Sequence, residues 1–203
     1  MLCDMAKPSV LGRDFFERET LTVARELLGK YLVYGETALM ITEVEAYDGP
    51  HDLASHAARG KTARNGVMFG EAGVWYIYLC YGVYWLLNIV TGAHDYPAAI
   101  LIRGVEGVQG PGRVTRHFGI DASLNRKPAE KANGLWLEDR GVVIDPRTIL
   151  KTTRIGVSYA GPIWANKKYR LILESLQNEK PGVRPKERSG ESARSRYRRS
   201  RNQ

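Results

Sequence analysis

From Ile41 to Tyr47, apolar and polar residues alternate with a period of two. That alternation predicts a half-buried strand with Glu43, Glu45 and Tyr47 sharing a face. Asp48-Gly49-Pro50 breaks it, and a polar loop follows with Asp52, Ser55 and His56, then the turn-prone basic segment Lys61-Thr62-Ala63-Arg64-Asn65. Upstream, Leu21, Ala24, Leu27 and Leu28 fall on one stripe of a helix from Thr20 to Leu28, with Gly29 as its stop. Lys30 to Tyr34 reads as a short strand turned by Gly35-Glu36 toward the Glu45 strand.

The uncharged run from Val74 to Thr91 is roughly long enough to span a membrane. Its four tyrosines, central glycine and Asn88 argue against that, and its aromatic and β-branched content favours strand. We read two strands around Tyr81-Gly82, with Tyr76 and Tyr78 facing one way and Trp75, Ile77 and Leu79 the other. Taken singly, each tyrosine is ordinary core. Ala98 to Arg103 forms another apolar strand ending on an arginine, which is either a salt-bridge partner or a site residue. Gly110-Pro111-Gly112-Arg113 opens a helix to about His117, whose free N–H groups could meet a phosphate, although most Gly-Pro-Gly turns only punctuate. Leu135–Glu138 and Val142–Ile144 resemble a hairpin around Asp139-Arg140-Gly141. Arg154–Val157 and Tyr169–Leu173 read as the last strands. Strands outnumber helices without regular βαβ alternation, so an α+β fold around a mostly antiparallel sheet is expected.

Composition refines this picture. The chain has 203 residues, room for one well-buried core. Its formal charge is +8, but 180–203 holds nine Lys/Arg and two Glu, which leaves +1 for 1–179. We therefore expect a folded domain over 1–179 and a basic, disordered tail over 180–203. A nucleic-acid face on the body must come from local clustering. Cys3 and Cys80 make neither a disulfide framework nor a metal cluster, which points to a reducing compartment. The N-terminus lacks the apolar segment of a secretory signal.

Three constellations compete for the chemistry. A metal site drawn from Glu45, His51, Asp52 and His56 matches no usual zinc spacing. Glu43 and Glu45, roughly 7 Å apart at their bases, admit a glycosidase pair, although a solvent-facing pair is the simpler reading. The third is a single carboxylate with Arg103 inside a tyrosine-lined pocket, suited to a flat base as substrate.

The order Glu43-Val44-Glu45-Ala46-Tyr47-Asp48-Gly49-Pro50, then Asp52, Ala54, His56 and Thr62-x-Arg64-Asn65-x-x-Met68-Phe69, closely resembles the alkyladenine (3-methyladenine) DNA glycosylase family. Tyr76-x-Tyr78-x-x-Tyr81-Gly82, Asn88, Arg103, Gly110-Pro111-Gly112 and Leu135-Trp136-Leu137-Glu138 are similar too, so the likeness runs from about Leu11 to Leu173. It implies a single mixed domain with a curved antiparallel sheet, a protruding β-hairpin and surrounding helices. It further implies a monofunctional glycosylase acting on double-stranded DNA with alkylated or deaminated purines: 3-methyladenine, 7-methylguanine, hypoxanthine or ethenoadenine.

By that resemblance Glu45 activates water and Arg103 helps hold it, with a backbone carbonyl near Val157 as third partner. Tyr47 and Tyr78 sandwich the extruded base, with the His56 ring beside them. The backbone around Ala54 and His56 reads its edge, Asn88 crowds the 2-amino group of guanine, and Tyr81 wedges into the duplex. No metal, cofactor or membrane is implied. The protein is expected to be a monomer, in the cytoplasm of a prokaryote or the nucleus of a eukaryote. A non-catalytic binder of damaged or single-stranded nucleic acid, using the tyrosines as a stacking platform, is the alternative. A metal-dependent hydrolase is the third class.

Overall fold

A computed structural model describes residues 7–174. In chain order its principal elements are β1 (Ser9–Val10), α1 (Arg13–Phe16), α2 (Thr20–Leu27), β2 (Tyr31–Tyr34), β3 (Thr37–Tyr47), β4 (Trp75–Cys80) and β5 (Tyr84–Val90). There follow β6 (Ala99–Val105), β7 (Val108–Gln109), α3 (Pro111–Phe118), β8 (Leu135–Asp139), β9 (Ile149–Thr152), α4 (Gly161–Ala165) and β10 (Arg170–Leu173). All pairings are antiparallel, in the order β1-β8-β2-β3-β6-β5-β4, with β10 on β3, β9 on β10 and β7 on β6. The fold is thus α+β, a curled antiparallel sheet with a few helices in one domain.

Alternation along four neighbouring strands sorts residues onto two faces. Val44 and Ala46, Ile100 and Ile102, Leu87 and Ile89, and Trp75 and Ile77 all enter the main core with Val23, Ala24 and Leu27 of α2 and Val114 of α3. The opposite face carries Glu43, Glu45 and Tyr47, then Leu101 and Arg103, Asn88, and Tyr76 and Tyr78. The expected half-buried strand is therefore buried on both sides, because residues 41 to 46 are all buried. Loops after β3 and β9 cover the second face. Glu43 and Glu45 are not a solvent-facing pair: they are 6% and 0% exposed.

Arg103 lies within β6, not at a strand end. The β3–β6 register steps from Glu43↔Gly104 to Val44↔Ile102, so Arg103 is skipped in the ladder. Such a bulge re-aims the extra residue's side chain. Gly104 permits it, since a Cβ there would come within 3.0 Å of Glu43 Cβ.

Other expectations change. In α2 the buried stripe is Thr20, Val23, Ala24 and Leu27; Leu21 is only partly buried. Val142–Ile144 forms no strand, because β1 and β2 already occupy both edges of β8. Arg154–Val157 is likewise no strand; Ile149–Thr152 pairs with β10 in its place. The Val74–Thr91 run forms the β4–β5 hairpin, and among the described residues no helix is long and apolar enough to cross a membrane. Leu79 is 39% exposed, since the hairpin projects past the core that its apolar face would join. The basic stretch 180–203 lies outside the described residues.

Candidate active site

The polar face of the sheet is the floor of an open cleft of about 1010 Å³. Its lining includes Tyr47, Ala54, His56, Tyr76, Tyr78, Tyr81, Asn88, Arg103, Val157 and Tyr159. Glu45 lies beneath, wholly buried. Its carboxylate accepts from Tyr47 Oη (3.0 Å) and Arg103 Nη1 (3.3 Å) on Oε2, and from the Ile155 N–H (2.8 Å) on Oε1. Burial raises the Glu45 carboxyl above its ordinary range, and Arg103, the Ile155 N–H and Tyr47 oppose that rise. An ionisable group next to an aromatic cleft and perturbed in this way is a candidate for the chemistry.

Arg103 is a salt-bridge partner of Glu43 and Glu45, and its side chain also lines the cleft. Its Nε donates to Glu43 Oε1 at 2.9 Å, and the same oxygen accepts from Arg170 Nε at 2.6 Å. Glu43 therefore anchors Arg103 from behind, and as the partner of two guanidinium groups it is poorly suited to act as the second carboxylate of a glycosidase pair. The metal reading fails on Asp52, which is buried against Arg154 with Oδ2 2.5 Å from Nη1 and Oδ1 2.8 Å from Nη2. Among the described residues no three His, Cys, Asp or Glu side chains group to hold a metal.

The aromatic wall is built from two neighbouring elements. His56 Nδ1 lies 2.9 Å from Tyr76 Oη, and its ring stands edge-on to Tyr78 at 4.6 Å. Burial lowers the His56 pKa, with Arg64 adding to the effect, which favours the neutral ring. Burial pushes Tyr76 up to about 12, so it stays a phenol. Arg64 packs over the Tyr78 ring at 5.0 Å. Asn65 holds the loop by donating to the carbonyls of His56 (2.8 Å) and Gly60 (2.9 Å). Asn88 is buried in the floor and donates to the Tyr76 carbonyl at 3.0 Å.

Three placements refine what the sequence suggested. Ala54 already spends its N–H on Asp52 Oδ1 (3.1 Å), and its carbonyl accepts from Tyr159 Oη (2.9 Å). The Val157 carbonyl accepts from the Ala160 N–H at 3.0 Å, and it is Ile155, two residues earlier, that touches Glu45. Tyr81 is 94% exposed at the hairpin tip, in a left-handed conformation (φ +52°) beside Gly82 (φ +70°). Cys80 pairs with Tyr84, and in the three-residue connection between them the Val83 N–H donates to the Cys80 carbonyl at 3.0 Å; two successive positive φ values there are a strained setting for tyrosine. Arg154, Ile155 and Tyr159 were not singled out as site residues from sequence, and Asp52 was weighed for chemistry only as a metal ligand. The pairing of Asp52 with Arg154 spans 102 residues and leaves no local signal in the sequence.

Comparison with known proteins identifies the family. A family profile described as Methylpurine-DNA glycosylase (MPG) matches residues 14–110 and 107–177. A protein of Anaeromyxobacter sp. (strain Fw109-5) named "Putative 3-methyladenine DNA glycosylase" is 43% identical over 176 residues, covering 81% of this chain and 89% of its own length. Relatives of the same name from Legionella pneumophila (strain Corby) and Rickettsia peacockii (strain Rustic) are 42% and 39% identical, over 81% and 86% of this chain and 94% and 95% of theirs. The chain belongs to the methylpurine-DNA glycosylase family of DNA-repair hydrolases.

Proposed function

We propose that this glycosylase extrudes an alkylated or deaminated purine from duplex DNA into the aromatic cleft and hydrolyses its N-glycosidic bond with water activated by Glu45. The observation that carries the reading is the buried Glu45 carboxylate, held by donors at both oxygens beneath an open cleft walled by tyrosines. A base inside a duplex is out of reach of that carboxylate, so extrusion costs a few kcal/mol of unstacking. Tyr81 offsets part of this by inserting into the gap. Tyr47 and Tyr78 stack on the base; their faces attract the cationic charge of 3-methyladenine or 7-methylguanine beyond plain stacking. Asn88 sits where the 2-amino group of a normal guanine would collide. With Ala54 bonded through both backbone groups and the His56 carbonyl taken by Asn65 Nδ2, edge reading falls to the His56 N–H.

The chemistry balances simply. Water forms the new bond to C1′ while Glu45 accepts its proton, and the C1′–N9 bond breaks with its electron pair leaving on the purine. A cationic lesion departs neutral without further help, whereas hypoxanthine must gain a proton. Arg103, already bonded to Glu45, orients the water. The cleft lining contains no lysine among the described residues, which supports hydrolysis over an imine route. The products are free base and an intact abasic strand.

The test is release of free base from duplexes carrying hypoxanthine or 7-methylguanine, with undamaged duplex as control and strand breaks scored before and after alkali. We expect base release and breaks only after alkali. Tight binding to the lesion duplex without release would identify the non-catalytic binder.

A further inference from the structure

Arg154 is the most buried cation among the described residues, and nothing in the proposed reaction uses it. Its side chain is 0% exposed, as is that of Asp52, and neither residue lines the cleft. Beyond its two bonds to Asp52, Arg154 donates to the carbonyls of Ala46 (2.9 Å) and Trp164 (3.3 Å), while its Nε is buried without a partner. Asp52 also accepts from the N–H groups of Asp48 and Ala54, both at 3.1 Å. The pair therefore ties the end of β3, the loop carrying Ala54 and His56, and α4 to one point.

That point lies behind Glu45. The residue after Arg154 supplies the Ile155 N–H to Glu45 Oε1, and the Arg154 guanidinium packs 4.9 Å from the centre of the Tyr47 ring, whose hydroxyl bonds Glu45 Oε2. Tyr47 meets the cleft and Arg154 does not, so the cation backs the ring on its protein side. Two of the donors that hold Glu45 are thus fixed by one buried cation. A buried ion pair is a poor source of stability compared with apolar packing, and here it leaves the Arg154 Nε unpaired as a further cost.

We propose that Asp52 and Arg154 form a positioning pair for the hydrolytic step, setting the Ile155 amide and the Tyr47 hydroxyl on the Glu45 carboxylate. This rests on the assignment of Glu45 as the base. The test compares full-length wild type with Asp52→Asn and Arg154→Lys, using single-turnover release of hypoxanthine from saturated duplex across pH. Active protein is counted by titration with an uncleavable abasic-site duplex, so misfolded molecules do not enter the rate. We expect the rate per active molecule to fall at least tenfold in Asp52→Asn and less in Arg154→Lys. The acidic limb should move to higher pH, and abasic-site affinity should stay within threefold. A corrected rate within twofold of wild type and an unmoved limb would overturn the proposal, as would variants with no DNA-binding fraction, which would make the pair a folding element. Wild type releasing no base would fail the Glu45 assignment itself, a separate outcome.

Discussion

Replacing Tyr81 by Asn should make the free protein more stable and the enzyme worse, an opposition that follows from the turn it occupies. Tyr81 is 94% exposed and holds φ at +52°, so its ring gives little packing to the free protein while its backbone is strained. A non-glycine residue pays roughly 1–2 kcal/mol for that conformation. Asn visits the left-handed region far more readily, and Asn-Gly is a favoured turn pair. Relief of about 1 kcal/mol corresponds to a melting temperature about 2–4 °C higher for a domain of this size. On DNA the same ring would be buried between bases. An aromatic side chain buries roughly 150–250 Å², which at about 25 cal/mol per Å² bounds the gain near 5 kcal/mol. Alanine substitution at stacking positions gives about 1–3 kcal/mol per base, so loss of the wedge should slow extrusion about tenfold to a hundredfold. Thermal melts and single-turnover release from duplex and single-stranded hypoxanthine DNA read both sides. The duplex rate should fall and the single-strand rate should hold, with the melt raised. A lowered melt would refute the strain argument; equal losses on both substrates would refute the wedge.

Two further outcomes follow from the site. Burial holds the Glu45 carboxyl above its ordinary 4.5. The ionised form is the working base, so release of 7-methylguanine should decline as pH drops through a value above 4.5; a limb at or below 4.5 contradicts the burial argument. The same shift means that ionised Glu45 costs stability above its folded pKa, a cost absent below 4.5. Asn88→Ser removes the amide that borders the cleft floor and should raise release of unmodified guanine about tenfold, the scale of a small steric exclusion; an unchanged background in a long incubation with undamaged duplex would clear Asn88 of that role.

Much of the sheet was legible because period-two alternation is a strong signal. Glu45 and Tyr47 share a face, as do Tyr76 and Tyr78, and each pair falls where its strand's alternation assigns it. The bulge at Arg103 was not legible: it depends on register against β3, which a run reading Ala-Ala-Ile-Leu-Ile-Arg does not encode. Arg154-Ile155-Gly156-Val157 misled because its β-branched residues favour strand, whereas its long-range bonds to Asp52 and Glu45 hold it as a loop. Val142–Ile144 misled similarly, since only the full strand order reveals that β8 has no edge to spare. At Glu45 and Arg103 sequence spacing left several chemistries open, because the contact between the two side chains spans 58 residues and two strands.

The most direct measurement is base release by Glu45→Gln under single-turnover conditions, beside its affinity for abasic-site duplex. Gln keeps the volume and can still accept from the Ile155 N–H, but it cannot take a proton from water. The account predicts release at or near background with abasic-site binding retained; release at the wild-type rate would remove Glu45 from the chemistry.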